Sequence, residues 1–336
     1  MKILISGGSG FIGTNLIDDL LKKQHEILNV DKNPPHKNEH KVYWTVCDIL
    51  DRTKLQDIFS KFRPNVVVHM AARTDTDPKN NLDDYKTNTE GTKNILESVK
   101  TIDSVERIVI TSTQFVYQAE NSEPQSDEDY LPHTVYGESK VLAEQVTRKA
   151  DLNCVWTIIR PTNVWGPWHL RYPYEFWKTV SKGLYFHPSG RKVIRSYGYV
   201  GNVVWQIERI LESNPIVVNK KTFYVGDEPC DLKDWVNGFS KEQIGREVIV
   251  VPRIFLRVLG YFGDLLKIVG ITFPITSSRF KSMTTSNAAP MQNTFEAFGI
   301  PPYSLEQGIQ ATVEWMRDYH PHLVKRRTEH AQSIRH

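Results

Sequence analysis

Tyr136 and Lys140 stand four residues apart in Tyr136-Gly137-Glu138-Ser139-Lys140, which puts a phenol and an ammonium on one face of an expected helix. A free phenol has a pKa of about 10 and is a poor base near neutrality. A neighbouring ammonium favours its ionised form. Such a pair can take a proton from a hydroxyl group and give it back. Thr111-Ser112-Thr113 closes an apolar run further back. A hydroxyl there can hydrogen-bond the same reacting oxygen, and Thr113 is the preferred candidate, ahead of Ser112. Tyr-x-x-x-Lys alone is common by chance, so its weight depends on what precedes it.

What precedes it is Gly7-Gly8-Ser9-Gly10-Phe11-Ile12-Gly13, between a first apolar run and a helix-like segment. Glycines suit a tight turn, close approach to a pyrophosphate and close helix–strand packing. The helix start offers N–H groups to phosphate, from Phe11, Ile12 and Gly13. Asp31 ends the second run, 18 positions beyond Gly13. A carboxylate there accepts both hydroxyls of an adenine ribose and repels a 2′-phosphate, so NAD is expected rather than NADP. Lys32 follows at once and softens that preference. Asp48, with Ile49, is placed at the adenine edge. Once NAD is implied, its cationic nicotinamide joins Lys140 in favouring the tyrosinate.

The elements that must position these groups are short apolar runs alternating with helical segments. The runs are Ile3–Ser6, Ile27–Val30, Val42–Val46, Val66–His69, Ile108–Thr111 and Val155–Ile159. The helical segments are Phe11–Lys23, Arg52–Lys61, Leu82–Lys100 and Thr134–Lys149. That alternation predicts an α/β fold, a doubly wound parallel Rossmann sheet covered on both faces. After Pro161 the pattern changes to a loop-rich aromatic segment containing Trp165, Trp168, Tyr172, Tyr174, Phe176 and Trp177. Lys192–Val200 reads as extended, about 202–211 as helix and Thr222–Val225 as a strand. The remainder is mainly helical. We therefore expect an NAD-binding domain over 1–165, with 192–226 returning to it. A smaller substrate-binding region is expected over 166–191 and 227–325, and a flexible tail over 326–336.

Bulk properties exclude other classes. The chain has 336 residues, 42 Lys and Arg against 39 Asp and Glu, and a net charge of +3, too small a surplus for binding nucleic acid through bulk charge. Cys47, Cys154 and Cys230 show no metal-ligand spacing, so no metal is expected and the thiols read as reduced, in a cytoplasmic protein. The stretch Ile254 to Phe273 is apolar but interrupted by Arg257, Asp264 and Lys267. It is expected as an amphipathic helix lying on a core or walling a pocket, not as an integral membrane span.

Taken together, these motifs resemble the extended short-chain dehydrogenases/reductases, the NAD-dependent epimerase/dehydratase group. The residues carrying the likeness are Gly7–Gly13, His69-Met70-Ala71-Ala72, Asn88 with Gly91-Thr92, Ser112-Thr113 leading to Val116-Tyr117, Tyr136–Lys140, and Arg160 to Pro167. They cover roughly residues 1–205, and Ser304-Leu305-Glu306-Gln307-Gly308 resembles a C-terminal motif of the same group. The resemblance implies that Thr113, Tyr136 and Lys140 are catalytic, Lys140 also holding the nicotinamide ribose. It implies cofactor contacts at Ala71, Ala72 and Asn88. It places Gln114 and Asn163 near substrate, Arg195 on the diphosphate of a nucleotide sugar, and Arg279 as a second clamp. It also implies a homodimer through the segments Leu82–Lys100 and Thr134–Lys149.

Departures from the group narrow the chemistry. Gln114 and Phe115 stand where the group's dehydratases carry an acidic pair, so elimination is not expected. The stretch usually ending in two aspartates reads Arg195-Ser196-Tyr197-Gly198-Tyr199-Val200-Gly201-Asn202. Pro252 to Thr284 resembles the 3β-hydroxysteroid dehydrogenase branch, where an apolar helix helps form the substrate site. The expectation is an oxidoreductase or epimerase acting at C4 of a nucleotide-linked sugar. An apolar secondary alcohol, steroid-like or lipid-linked, is the alternative substrate, and a non-catalytic NAD sensor is a further reading.

Overall fold

The computed structural model describes residues 1–118, 122–170, 173–268, 270, 273 and 275–321, with backbone only for 173–175. The expected tail, 326–336, lies outside them. Runs such as Ile3–Ile5, Val66–Val68 and Ile108–Ile110 are buried at every position. A strand apolar on both faces must be covered on both, which is the demand of a central parallel sheet. The strands are β1 (Lys2–Ser6), β2 (Glu26–Asp31), β3 (Trp44–Val46), β4 (Val66–His69), β5 (Arg107–Thr111) and β6 (Val155–Pro161), joined by Lys221–Val225. Their spatial order is Lys221–Val225, β6, β5, β4, β1, β2, β3, in one seven-stranded sheet. Every pair in it is parallel. The order reverses between β1 and β4, the switch point at which such folds bind ligands. The expected Rossmann fold is the one observed.

Helices α1 (Phe11–Lys22), α2 (Arg52–Phe62), α3 (Lys86–Lys100) and α4 (Val135–Arg148) connect these strands. Leu55, Ile58 and Phe59 of α2 and Ile95, Leu96 and Val99 of α3 join Val67, Ile108 and Ile158 in one core. Asp51 caps α2 and Thr134 caps α4, each through a side-chain oxygen that accepts a backbone N–H. One expected strand start is wrong. Val42 and Tyr43 belong to a 3-10 turn over Asn38–Tyr43, because buried His40 is held 2.8 Å from the Asp18 carboxylate and pulls the chain into a turn.

Over the described residues the chain folds as two compact units, one within 1–164, 198–227 and 289–302, the other within 165–197, 228–288 and 303–321. In the first unit, the segment 289–302 is tied in by Thr294, which donates to the Tyr224 carbonyl at 2.6 Å, and by Ala289 and Met291 packing on Tyr224. The second unit has an aromatic core. Trp235 stacks on Tyr197 at 4.3 Å and meets Trp165 and Phe239 edge-on.

The helix Arg253–Ile268 of this second unit departs from expectation. Of its residues only Leu256, Gly260 and Gly263 are buried, and most of its large apolar side chains face solvent. It rests on a neighbour by one narrow face and does not bury its apolar stripe in a core. None of the described helices is long and apolar enough to cross a membrane.

Candidate active site

The glycine turn fits a dinucleotide by exclusion of side chains. Gly7 has φ +80°, and a Cβ on it would lie 2.5 Å from the Ala71 nitrogen. On Gly13 a Cβ would lie 2.6 Å from the Gly7 carbonyl oxygen. Only glycine lets the turn, the loop after β4 and the start of α1 come this close. Gly10 caps α1 without a side chain, so no side-chain oxygen covers the helix end where phosphate would bind. Asp31 reaches the same turn: Ser9 N–H donates to one carboxylate oxygen at 3.2 Å and Asn33 N–H to the other at 2.9 Å. Burial raises the Asp31 pKa, against the pull of these two hydrogen bonds.

The other cofactor candidates divide. Ala71 lies against Gly7, with Ala72 next to it in the same loop. Asp48 accepts from Leu50 N–H at 3.0 Å and faces Lys32 at 3.9 Å, so Lys32 is drawn towards this carboxylate. Ile49 is buried and fills the space above Gly91. Buried Asn88 spends its amide on the protein: it accepts from Arg73 N–H at 2.8 Å and donates to the Arg73 carbonyl and to Ser139 Oγ, both at 2.9 Å. It ties the loop after β4 to α4, and Ser139 in turn donates to the Tyr136 carbonyl at 2.7 Å.

Thr113, Tyr136 and Lys140 come together in the first unit. Thr113 follows β5, its side chain accepting from Phe115 N–H at 3.3 Å, and it hydrogen-bonds Tyr136. All three side chains are buried. Burial pushes the Tyr136 phenol up to about 12, and the Thr113 hydrogen bond only partly opposes it. Burial brings Lys140 down to about 8, with the Glu144 carboxylate pulling the other way. Burial, rather than Lys140, therefore governs the phenol. Tyr85 and Phe115 flank it, with ring centroids at 6.3 and 6.4 Å.

Support for this cluster comes from residues that spacing alone did not single out. Glu144 is one further turn along α4 from Lys140. It takes Arg160 Nη2 at 2.8 Å, Arg160 Nε at 2.9 Å and Ser112 Oγ at 2.5 Å, and Tyr130 OH at 3.1 Å. Burial works against the Arg160 cation, but the bonds and charge of Glu144 outweigh it and raise its pKa. His69 lies between Ser6 Oγ at 2.6 Å and Thr92 Oγ1 at 2.9 Å. Burial, with the Lys140 charge, brings it down to about 3, so it is neutral near pH 7. Extending the Tyr136–Lys140 spacing by one more turn would have found Glu144.

The substrate candidates fall in both units. Gln114, in the first, is buried, and neither oxygen nor nitrogen of its amide has a partner among the described residues. A buried amide left this way costs free energy unless something polar meets it. Asn163, also in the first, opens the short strand Asn163–Trp165. Arg195 and Arg279 lie in the second unit. Arg195 donates to the Ser282 carbonyl, and Arg279 is exposed on the helix Ser277–Thr284. Burial raises the Tyr185 phenol, and both guanidinium charges act against that rise, so the two cations share one neighbourhood. The described residues hold no cluster able to bind a metal ion.

The sequence matches the model of the NAD-dependent epimerase/dehydratase family over residues 3–226. The chain belongs to that family. It is an NAD-dependent enzyme, and the glycine turn and Asp31 are suited to that cofactor. A relative in Escherichia coli O157:H7, an N-acetyl-alpha-D-glucosaminyl-diphospho-ditrans,octacis-undecaprenol 4-epimerase, is 26% identical over 321 residues, 94% of this chain and 95% of that one. A 3-beta-hydroxysteroid dehydrogenase of Mycolicibacterium neoaurum is 28% identical over 177 residues, about half of each chain (49% and 48%). The solved UDP-glucose 4-epimerase of Thermotoga maritima with UDP-glucose superposes with a TM-score of 0.71 at 23% identity, covering 95% of this chain and 99% of that one, and so shares its fold.

Proposed function

We propose that the protein interconverts C4 epimers of a diphosphate-linked sugar by reversible oxidation of a ring hydroxyl. The observation that carries the reading is the buried Thr113–Tyr136 hydrogen bond with Lys140 one turn along the same helix. NAD, when bound, accepts and returns the hydride. Tyr136 takes the hydroxyl proton and later returns it to the same sugar oxygen. Thr113 holds that oxygen, and Lys140 orients the nicotinamide ribose and keeps a positive charge near the phenol. A keto sugar that turns over before it is reduced gives the epimer, and the same residues acting on an incoming keto sugar make a ketoreductase. Gln114 offers its unpaired amide to a sugar hydroxyl. With Gln114 and Phe115 after Thr113, no carboxylate stands there to assist an elimination.

A nucleotide is the favoured carrier, with Arg195 and Arg279 as paired phosphate donors. A lipid carrier is the second reading. It is supported by the polyprenyl-diphosphate sugar in the name of the Escherichia coli relative, which matches nearly end to end, and by the exposed apolar helix Arg253–Ile268. Assembly as a homodimer through α3 and α4 belongs to the proposal. Ile95 and Leu96 are spent in the core, so the interface falls to the outer faces of these helices, and light scattering tests it.

The test of the activity is incubation with NAD and UDP-N-acetylglucosamine or a polyprenyl-diphosphate N-acetylglucosamine, followed by NMR of the sugar ring. A product of unchanged mass with inverted C4 is expected. Accumulation of NADH with a keto sugar would mark a dehydrogenase instead, and no conversion of either carrier would remove the reading.

A further inference from the structure

The helix Arg253–Ile268 has two unlike faces. Its inner face is narrow. A Cβ on Gly260 would lie 3.2 Å from the Ser277 nitrogen and from the Thr276 oxygen, so the glycine lets the two segments touch. Ser277 N–H donates to the Asp264 carboxylate at 3.2 Å, and Arg253 and Arg257 lie over the Phe280 ring at 5.8 and 5.7 Å. The outer face is broad and apolar. Ile254, Val258, Tyr261, Leu265 and Ile268 follow helical spacing, with Phe255 and Phe262 beside them. Each keeps at least half of its surface in solvent, and Ile268 keeps 81%. The strand Ile249–Val251 that leads into the helix exposes Ile249 and Val250 as well. A contiguous patch of this kind marks a surface for something else.

Charge decides what covers it. From Arg253 to Thr284 the basic residues are Arg253, Arg257, Lys267, Arg279 and Lys281, and the acidic one is Asp264, already engaged by Ser277. A second copy placed face to face would bring these cations together. The chain's own last residues, with Lys325, Arg326, Arg327 and Arg335 against Glu329, carry the same sign. An anionic lipid surface matches both features, apolar side chains entering the acyl boundary and cations meeting the headgroups. With 16 residues the helix is too short to span the hydrocarbon layer, so it would lie in the plane.

We propose that Arg253–Ile268 is an in-plane helix that docks the protein on bilayers containing anionic lipid. The inference rests on the surface of the helix and not on the substrate assigned above. Docking also brings the chain to the layer that holds lipid-diphosphate sugars, the second carrier.

The test is sedimentation of the full chain with vesicles of phosphatidylcholine alone or mixed with phosphatidylglycerol, at low and high salt. Two double variants are compared, Val258→Asp with Leu265→Asp, and Lys267→Glu with Lys281→Glu. All four positions are exposed, so circular dichroism and melting should match the parent. The parent should bind the mixed vesicles and lose binding with salt, and each variant should partition at least about tenfold more weakly. If the aspartate variant misfolds, the charge variant still decides. No binding of the parent to mixed vesicles, or parental binding by a folded variant, overturns the proposal. So does light scattering that shows self-association of the parent without vesicles, abolished by the aspartates. Binding is read without substrate, so its failure is separate from failure of the epimerase reading.

Discussion

Tyr136 is held at about 12 by its burial, well above the range in which it could serve as a base in the NAD-free protein. The proposed reaction therefore needs charge that arrives with the cofactor. The difference in ultraviolet absorbance between the parent and Tyr136→Phe should show no tyrosinate from pH 6 to about pH 10 without NAD, because the phenol is still protonated there. Added NAD should bring the tyrosinate signal to lower pH, and an unmoved signal would contradict the scheme. Tyr136→Phe itself should lower turnover by about 100- to 10,000-fold with NAD affinity nearly kept. Asp31 carries a second residue-level prediction. Its carboxylate sits on the Ser9 N–H at the glycine turn, where a 2′-phosphate would be repelled. Calorimetric titration should give tighter binding of NAD than NADP, and Asp31→Ala should narrow the gap. Equal affinities in the parent would move attention to Lys32.

At the scale of elements, what the sequence revealed depended on the range of the interaction. Strands such as Val66–His69 were legible because a run buried on both faces needs no partner to be recognised. Tyr136 and Lys140 were legible because their spacing is one helical turn. Thr113 was legible as a hydroxyl closing an apolar run, but its meeting with Tyr136 was not, since that depends on β5 delivering it to α4. The turn at Val42 was misread because the cause, the His40–Asp18 contact, joins residues 22 apart. The buried Glu144–Arg160 pair was invisible for the same reason: it exists only where α4 lies over β6. This pair carries the element-level prediction. Arg160→Leu leaves the buried Glu144 charge with only the longer Arg148 contact at 3.7 Å and should cost up to about 3–5 kcal/mol in denaturant unfolding. Glu144→Gln in the same chain removes the charge while keeping an acceptor for Ser112, and should recover part of the loss. A single variant as stable as the parent would show that the pair does not brace α4.

Stability belongs to the whole molecule, and Lys140 sets a functional cost against it. Its folded pKa is about 8, against 10.5 for the free side chain. Between those values the unfolded chain holds a proton that the folded chain has lost, so stability rises with pH across this window. Below about 8 both states are charged, and the cost of burying the ammonium is fully present. The gap of about 2.5 pKa units corresponds to a cost on the order of 3 kcal/mol. Lys140→Met keeps an unbranched chain of similar length without the charge. It should melt several degrees higher than the parent at pH 7, and the advantage should shrink as pH rises from about 8 towards 10.5. The raised Tyr136 pKa comes from burial and not from Lys140, so its alkaline cost falls on both proteins alike. The same variant should lose turnover, because the proposed ribose contact and the charge beside the phenol go together. A Lys140→Met protein that is less stable than the parent at pH 7, or whose difference from it does not change up to pH 10.5, would show that the buried ammonium is compensated by interactions other than that with Glu144. The expected outcome, greater stability with less activity, is what a charge held in a buried position for the proposed reaction should produce.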